Sequence, residues 1–158
     1  MTSISKTLAN PSPADGSLDA NGHSFPVRIY YEDTDFTGVV YHARYLHFFE
    51  RGRTEWLRAL GISHTDLGDG LFGEPLAFAI NRIEVDYKRP AKVDDVVVVR
   101  TSLAQARGAR LFLRQEMTRP VDGATIALGD VQVVLINNEG SPRRVPADML
   151  MRIEGNHS

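Results

Sequence analysis

Between Tyr30 and Leu60 the chain reads YYEDTDFTGVVYHARYLHFFERGRTEWLRAL, with a carboxylate, Asp35, three residues ahead of Gly38. Gly38 leads directly into Val39-Val40-Tyr41-His42, and an amphipathic segment follows. A carboxylate beside a helix start holds both requirements for adding an oxygen to a carbonyl. The carboxylate attacks, or acts as base for a water. The first N–H groups of the helix are unpaired, and the positive end of its dipole meets the developing oxyanion. Gly38 lets the backbone come close to a ligand. From local chemistry alone the plainer reading, Asp35 as a turn or N-cap carboxylate, stands ahead of the catalytic one.

The elements that hold this turn follow from periodicity. Phe25 to Glu32 alternates, with Val27, Ile29 and Tyr31 on one parity, which predicts a half-buried strand. Asp33, Thr34, Asp35, Thr37 and Gly38 supply turn chemistry. From Ala43 to Leu60 the spacing changes to three and four. Tyr45, Phe48, Phe49, Gly52, Trp56, Ala59 and Leu60 then form one helix face. Gly52 inside that stripe costs roughly 1 kcal/mol against Ala in a helix, so close approach of the helix to a sheet is expected there. Gly61 suits the C′ position, and Ser63-His64-Thr65-Asp66 suits the cap of a short second helix.

Four strands follow. Leu76 to Tyr87 alternates with a phase slip near Asn81–Arg82, which predicts a bulge. Val96 to Ala106, Leu111 to Thr118 and Thr125 to Ile136 are joined by turns at Arg107-Gly108 and at Pro120 to Gly123. Pro142 to Met151 is a short terminal element. One helix followed by an antiparallel meander predicts an α+β domain, about five strands curled around one long central helix. Its exposed outer edge predicts pairing with a second copy.

At 158 residues, 42% apolar and 24% charged, with net charge −2, the chain has the composition of one globular domain, with no global attraction to nucleic acid. It has no cysteine, which excludes disulfides, thiolate nucleophiles and zinc–thiolate sites. Residues 1–24 are rich in small and polar residues and read as a disordered arm. Residues 25–153 read as the domain, and 154–158 as a frayed tail. Without a signal-peptide core or an apolar run long enough to span a bilayer, a cytoplasmic protein is expected.

The segment Val27-Arg28-Ile29-Tyr30-Tyr31-Glu32-Asp33-Thr34-Asp35, with Gly38-Val39-Val40-Tyr41-His42-Ala43, closely resembles the motif of YbgC-type acyl-CoA thioesterases. These belong to the hydroxybenzoyl-CoA thioesterase branch of the hot-dog fold. The resemblance runs on through Tyr45, Phe49-Glu50-Arg51 and Arg53-Thr54-Glu55-Trp56-Leu57-Arg58. Weaker echoes occur at Val85-Asp86-Tyr87, Pro90-Ala91, Asp94-Asp95 and Arg143-Arg144-Val145-Pro146. It implies a hot-dog fold, hydrolysis of acyl-CoA or acyl-carrier thioesters without metal or redox cofactor, and a homodimer or a tetramer of paired dimers. It also implies Asp35 as the catalytic carboxylate and the His42 N–H as the group that polarises the thioester carbonyl. The family's Ala-Gly-Gly turn is Phe36-Thr37-Gly38 here, so only the last glycine is kept and the acyl-pocket shape departs from the pattern.

Around that pair stand further candidates. The His42 imidazole either orients water or substrate, or caps the helix. Gly38, Tyr41 and Tyr45 border the turn. Glu50, two helical turns after His42, either borders the site or pairs with Arg51 or Arg53. Lys88 and Arg89 are candidates for the phosphates of coenzyme A; Lys92, Arg107 and Arg110 also flank turns. Gly68-Asp69-Gly70-Leu71-Phe72-Gly73 matches G-x-G-x-x-G, but it lies between a helix and a strand in the wrong order for a dinucleotide site and reads as a loop. His42 and His47 are five apart and His23 and His64 sit in or beside flexible segments, so no metal site is expected. Two other readings remain. One is a hot-dog hydratase or dehydratase using Asp35 with His42. The other is an adaptor, non-catalytic or weakly catalytic, for Tol–Pal envelope or lipid-synthesis proteins.

Overall fold

The computed structural model describes residues 15–155. Six antiparallel strands form one sheet, β1 (Ser17–Asp19), β2 (Gly22–Arg28), β3 (Leu76–Tyr87), β4 (Val96–Arg107), β5 (Arg110–Arg119) and β6 (Ala124–Asn137), in the order β1-β2-β4-β5-β6-β3. Helix α1 (Arg44–Ala59) packs against this sheet, α2 (His64–Gly68) follows it, and α3 (Ala147–Gly155) closes the chain. No helix among the described residues is long and apolar enough to cross a membrane.

The sixth strand corrects the expected arm. Residues 17–24 form the first hairpin, Asp19 pairing with Gly22 across Ala20-Asn21, so the folded unit begins before Phe25. Gly22 has φ +153, and a Cβ there would collide with the Thr101 carbonyl of β4. Residues 1–14 lie outside the described residues. At the other end, α3 runs through Gly155, and 156–158 are likewise outside.

The first expected strand also ends early. The Ile29 N–H donates to the Asp95 carbonyl and the Asp94 N–H to the Ile29 carbonyl, after which the chain coils into a single 3-10 turn at Tyr31–Asp33. Val27 and Ile29 are buried as the alternation predicts, but the turn throws Tyr31 outward to 85% exposure. Elsewhere the elements match the pattern closely. The register of β3 against β6 shifts between Ile80 and Arg82, where the phase slip lies.

Helix α1 buries Tyr45, Phe48, Phe49, Gly52, Trp56 and Leu57. The buried face thus drifts onto Leu57 and leaves Ala59 exposed. The helix ends in a Schellman turn. The Ile62 N–H donates to the Leu57 carbonyl and the Gly61 N–H to the Arg58 carbonyl, with Gly61 at φ +77. Two apolar clusters flank Gly52. One gathers Tyr45, Phe48 and Phe49 with Val97, Val99 and Met117, and the other gathers Trp56 and Leu57 with Leu111, Leu135, Met149 and Ile153. Between them the buried Gln115 amide donates to the Phe49 carbonyl and to Thr101 Oγ1, and accepts from Arg53.

Candidate active site

Asp33 and Asp35, two residues apart, have opposite roles. Asp33 is 4% exposed. Its Oδ2 accepts the Tyr30 N–H and its Oδ1 the Arg44 Nε–H, each at 2.8 Å, and its carbonyl accepts the Tyr41 N–H. It ties the 3-10 turn to the first residue of α1 and is occupied in doing so. Sequence reasoning gave it only generic turn chemistry. The signal that separates the two carboxylates is the arginine eleven positions on.

Asp35 sits at the tip that this scaffold projects. Its N–H donates to the Val39 carbonyl and its carbonyl accepts the Gly38 N–H, both at 3.0 Å, with Thr34 bridged to Val40 behind them. The result is a three-residue hairpin loop, Phe36-Thr37-Gly38, whose last residue takes the left-handed conformation at φ +84. A Cβ at Gly38 would meet nothing within 4 Å. Backbone conformation, not crowding, therefore requires the glycine. Asp35 Oδ1 accepts both the Thr37 N–H, at 2.8 Å, and the Thr37 hydroxyl, at 2.5 Å. The Thr37 hydroxyl, then its N–H, and to a smaller degree the charge of His42 hold the Asp35 carboxyl below its ordinary range.

The chain then passes along Pro90–Lys92. Val40 N–H donates to the Ala91 carbonyl, and the Ala91 N–H donates to the Tyr45 hydroxyl, at 3.0 Å. Arg119 braces this segment through the Pro90 carbonyl and Asp95. At the helix start, the Tyr41 carbonyl accepts the Arg44 N–H and the His42 carbonyl accepts the Tyr87 hydroxyl, at 2.9 Å. A planar trans peptide points its N–H opposite its C=O. Anchoring those two carbonyls therefore aims the His42 N–H away from Arg44 and the Ala43 N–H away from Tyr87. Neither donor has a hydrogen-bond partner among the described residues.

A shallow cleft beside these donors is lined by Val40, His42, Tyr45, Tyr87, Lys88, Arg89 and Pro90. It brings His42, Tyr45, Lys88 and Arg89 together within one protomer. Lys88 and Arg89 each donate their N–H to the Ile126 carbonyl, so the backbone is pinned while the charged ends stay exposed. Tyr45 is 4% exposed with its hydroxyl committed to Ala91, so it forms the cleft floor. Tyr41 is half-exposed, its ring 4.6 Å from that of His42. Glu50 is placed elsewhere. Within one protomer it lines a separate cleft with Arg53, Thr54 and His64 between α1 and β3, and does not border the helix start. Two turns of helix carry it roughly 12 Å along the axis. Tyr87 is the residue that sequence reasoning missed. It closes the β3 alternation, and nothing local links it to a helix start 45 residues earlier.

The family model described as "Thioesterase-like superfamily" matches residues 29–153. Over 130 residues the chain is 43% identical to "Acyl-CoA thioesterase YbgC" of Haemophilus influenzae, covering 80% of this chain and 93% of that protein. The chain belongs to the YbgC family of the thioesterase-like superfamily. It is also 39% identical over 112 residues to "Acyl-CoA thioester hydrolase YbgC" of Escherichia coli, covering 71% of this chain and 78% of that one. Among solved structures it is similar to a probable thioesterase from Bartonella henselae, with TM-score 0.76 and 44% identity, over 79% of this chain and 99% of that chain. The fold is therefore the hot-dog fold, with six strands in place of the expected five.

Proposed function

We propose that this YbgC-family chain is an acyl-CoA thioesterase that cleaves acyl-CoA to the free acid and CoA, with Asp35 as its catalytic carboxylate. One observation carries the reading. A single loop and helix start present a carboxylate with one oxygen held, while its other oxygen and the His42 and Ala43 N–H groups have no hydrogen-bond partner among the described residues. In this reading the thioester carbonyl oxygen accepts from the His42 N–H, with the helix dipole behind it. Asp35 then supplies the attack in one of two ways. As nucleophile it adds to the carbonyl carbon, expels the CoA thiolate and forms an anhydride that water opens. As base it takes a proton from water, whose oxygen adds to the carbon, and the proton leaves with the thiolate. Lys88 and Arg89, exposed at the cleft rim, suit the phosphates of CoA. The twelve-residue edge strand β3, unpaired on its outer side among the described residues, suits a second copy, as a homodimer or a tetramer of paired dimers.

Thiol release from short, long and aromatic acyl-CoAs by wild type and Asp35→Asn is the direct test. The amide keeps the shape of the turn and removes the charge. A folded variant is expected to lose on the order of 100-fold or more in kcat. A fully active variant, or a wild type that turns over no member of the panel, defeats the proposal. In a single turnover in ¹⁸O-water, label in the Asp35 carboxylate establishes the nucleophilic route with the anhydride opened at the Asp35 carbonyl, since the general-base route places all label in the product acid.

A further inference from the structure

The catalytic reading gives a role to the carboxylate of Asp35 but none to the side chain that grips it. Two Thr37 donors converge on one oxygen, Oδ1, at 2.8 Å from the N–H and 2.5 Å from the hydroxyl, while Oδ2 accepts no hydrogen bond from any described residue. The N–H contact is what an Asx turn gives at this position whatever residue follows. The hydroxyl contact is not, because it needs Ser or Thr at the second loop position. The loop is exposed at Phe36 and Thr37 and Asp35 is itself only partly buried, so the two Thr37 donors are the hydrogen bonds on its side chain among the described residues.

We infer that Thr37 is a positioning residue for the hydrolysis. Its hydroxyl locks the Asp35 carboxylate in one rotamer, saturating Oδ1 and leaving Oδ2 as the oxygen presented to the acyl carbon or the water. This rests on the reading of Asp35 as catalytic. An unlocked carboxylate in a solvent-exposed loop rotates among its staggered wells, and the approach geometry that chemistry requires is then populated only part of the time. Thr37 also supplies the largest cause of the low Asp35 titration, ahead of its own N–H and of His42. The same hydroxyl thus keeps the working oxygen ionised as the medium becomes more acid. At neutral pH both forms are ionised, so there the hydroxyl lowers the basicity of the carboxylate without adding to its ionised fraction, and its contribution is the positional one.

Thr37→Val removes the hydroxyl while preserving shape, β-branching and the N–H contact, and Thr37→Ser restores the hydroxyl alone. With the acyl-CoA best used by wild type, Thr37→Val is expected to lower kcat on the order of tenfold, the scale of one hydrogen bond to a charged group. KM should be unchanged, and the acid limb of the kcat/KM profile should move to higher pH. Thr37→Ser should return both to wild type. Carboxyl ¹³C NMR of Asp35 in the same variants reads the titration without any turnover. A Thr37→Val enzyme with wild-type kcat, limb and carboxyl titration overturns the inference. So does one whose kcat falls while limb and titration stay in place. If Asp35→Asn proves fully active, the catalytic reading fails instead, and the NMR titration still decides whether the hydroxyl governs the carboxylate.

Discussion

The Tyr87 hydroxyl, at the end of the edge strand β3, donates to the carbonyl of His42 at the start of α1, at 2.9 Å. This bond crosses from sheet to helix and sets the tilt of the peptide that carries the Ala43 N–H, beside the donor of His42 itself. Tyr87 also stacks edge-on against Tyr45, with ring centroids 5.5 Å apart, so its ring remains packed when the hydroxyl is removed. Tyr87→Phe therefore frees the peptide without opening the cleft. If the Ala43 N–H joins that of His42 in meeting the charge that develops on the thioester oxygen, kcat is expected to fall roughly 10-fold with little change in KM. Steady-state kinetics check this, and a variant that raises KM alone would show that Tyr87 only shapes the cleft.

Lys88 and Arg89 allow a separate test of what the cleft rim binds. Their backbones are fixed on Ile126 and their charges are exposed, so replacing both by Gln leaves the fold intact. If they meet the CoA phosphates, the double variant should raise KM for acyl-CoA by roughly 10-fold or more, with a shallower salt dependence. The KM for an acyl thioester of pantetheine, which lacks the nucleotide phosphates, should not move. Equal losses on both substrates would place the phosphates elsewhere.

The sequence disclosed elements whose periodicity is local and hid contacts that are not. The α1 face, the β3 bulge at Ile80–Arg82 and the Gly61 cap all lie within a few residues of the signals that predict them. The first hairpin was masked by composition. Its strand β1 is only three residues long, too short to show alternation. Asp35 stood out through its motif, whereas Tyr87 and the Asp33–Arg44 pair owe their roles to tertiary placement. Glu50 leaves two readings in the sequence, a neighbour of the site or a partner of Arg51 or Arg53, and within one protomer it lies with Arg53 in a cleft apart from that of His42.

Gly52 is one case where sequence and structure agree for a reason that can be measured. A Cβ there would lie 2.5 Å from Val99 Cγ1 and 3.3 Å from Gln115 Nε2, and Val99 is fully buried. Alanine would improve helix propensity by about 1 kcal/mol, but overpacking of this kind costs about 1–3 kcal/mol and disturbs the Gln115 network as well. Gly52→Ala is expected to be less stable by on the order of 1–2 kcal/mol, a fall of several degrees in Tm. Adding Val99→Ala removes the clashing methyl, so the double variant should be more stable than the sum of the single losses. Thermal unfolding of the three variants decides it, and simple additivity would mean that the helix shifts instead.

His23 couples the first hairpin to pH. It is fully buried on β2, and its Nε2 donates to the Asp15 carbonyl at 2.8 Å. In the neutral ring Nδ1 is therefore the unprotonated nitrogen, and it is buried without a hydrogen-bond partner among the described residues. Burial pushes the imidazole below its ordinary value of 6.5. The Asp15 carbonyl and the charges of Glu55 and Asp15 pull the other way, and Arg100 adds to the lowering. A depressed histidine means that the unfolded chain binds the proton more readily than the folded one. Stability is then complete above about pH 6.5 and is lost as pH falls below it, towards the folded value. The depressed carboxylates do not confound this window, since Asp19, Asp35 and Asp122 shift down from an ordinary value of 3.8 and their losses begin only below about pH 5. Tm should decline between pH 7.5 and 5.5 in wild type. His23→Gln, which can keep the donor to Asp15 without a titrating ring, should flatten that decline. An unchanged slope in the variant would assign the acid sensitivity to a different group.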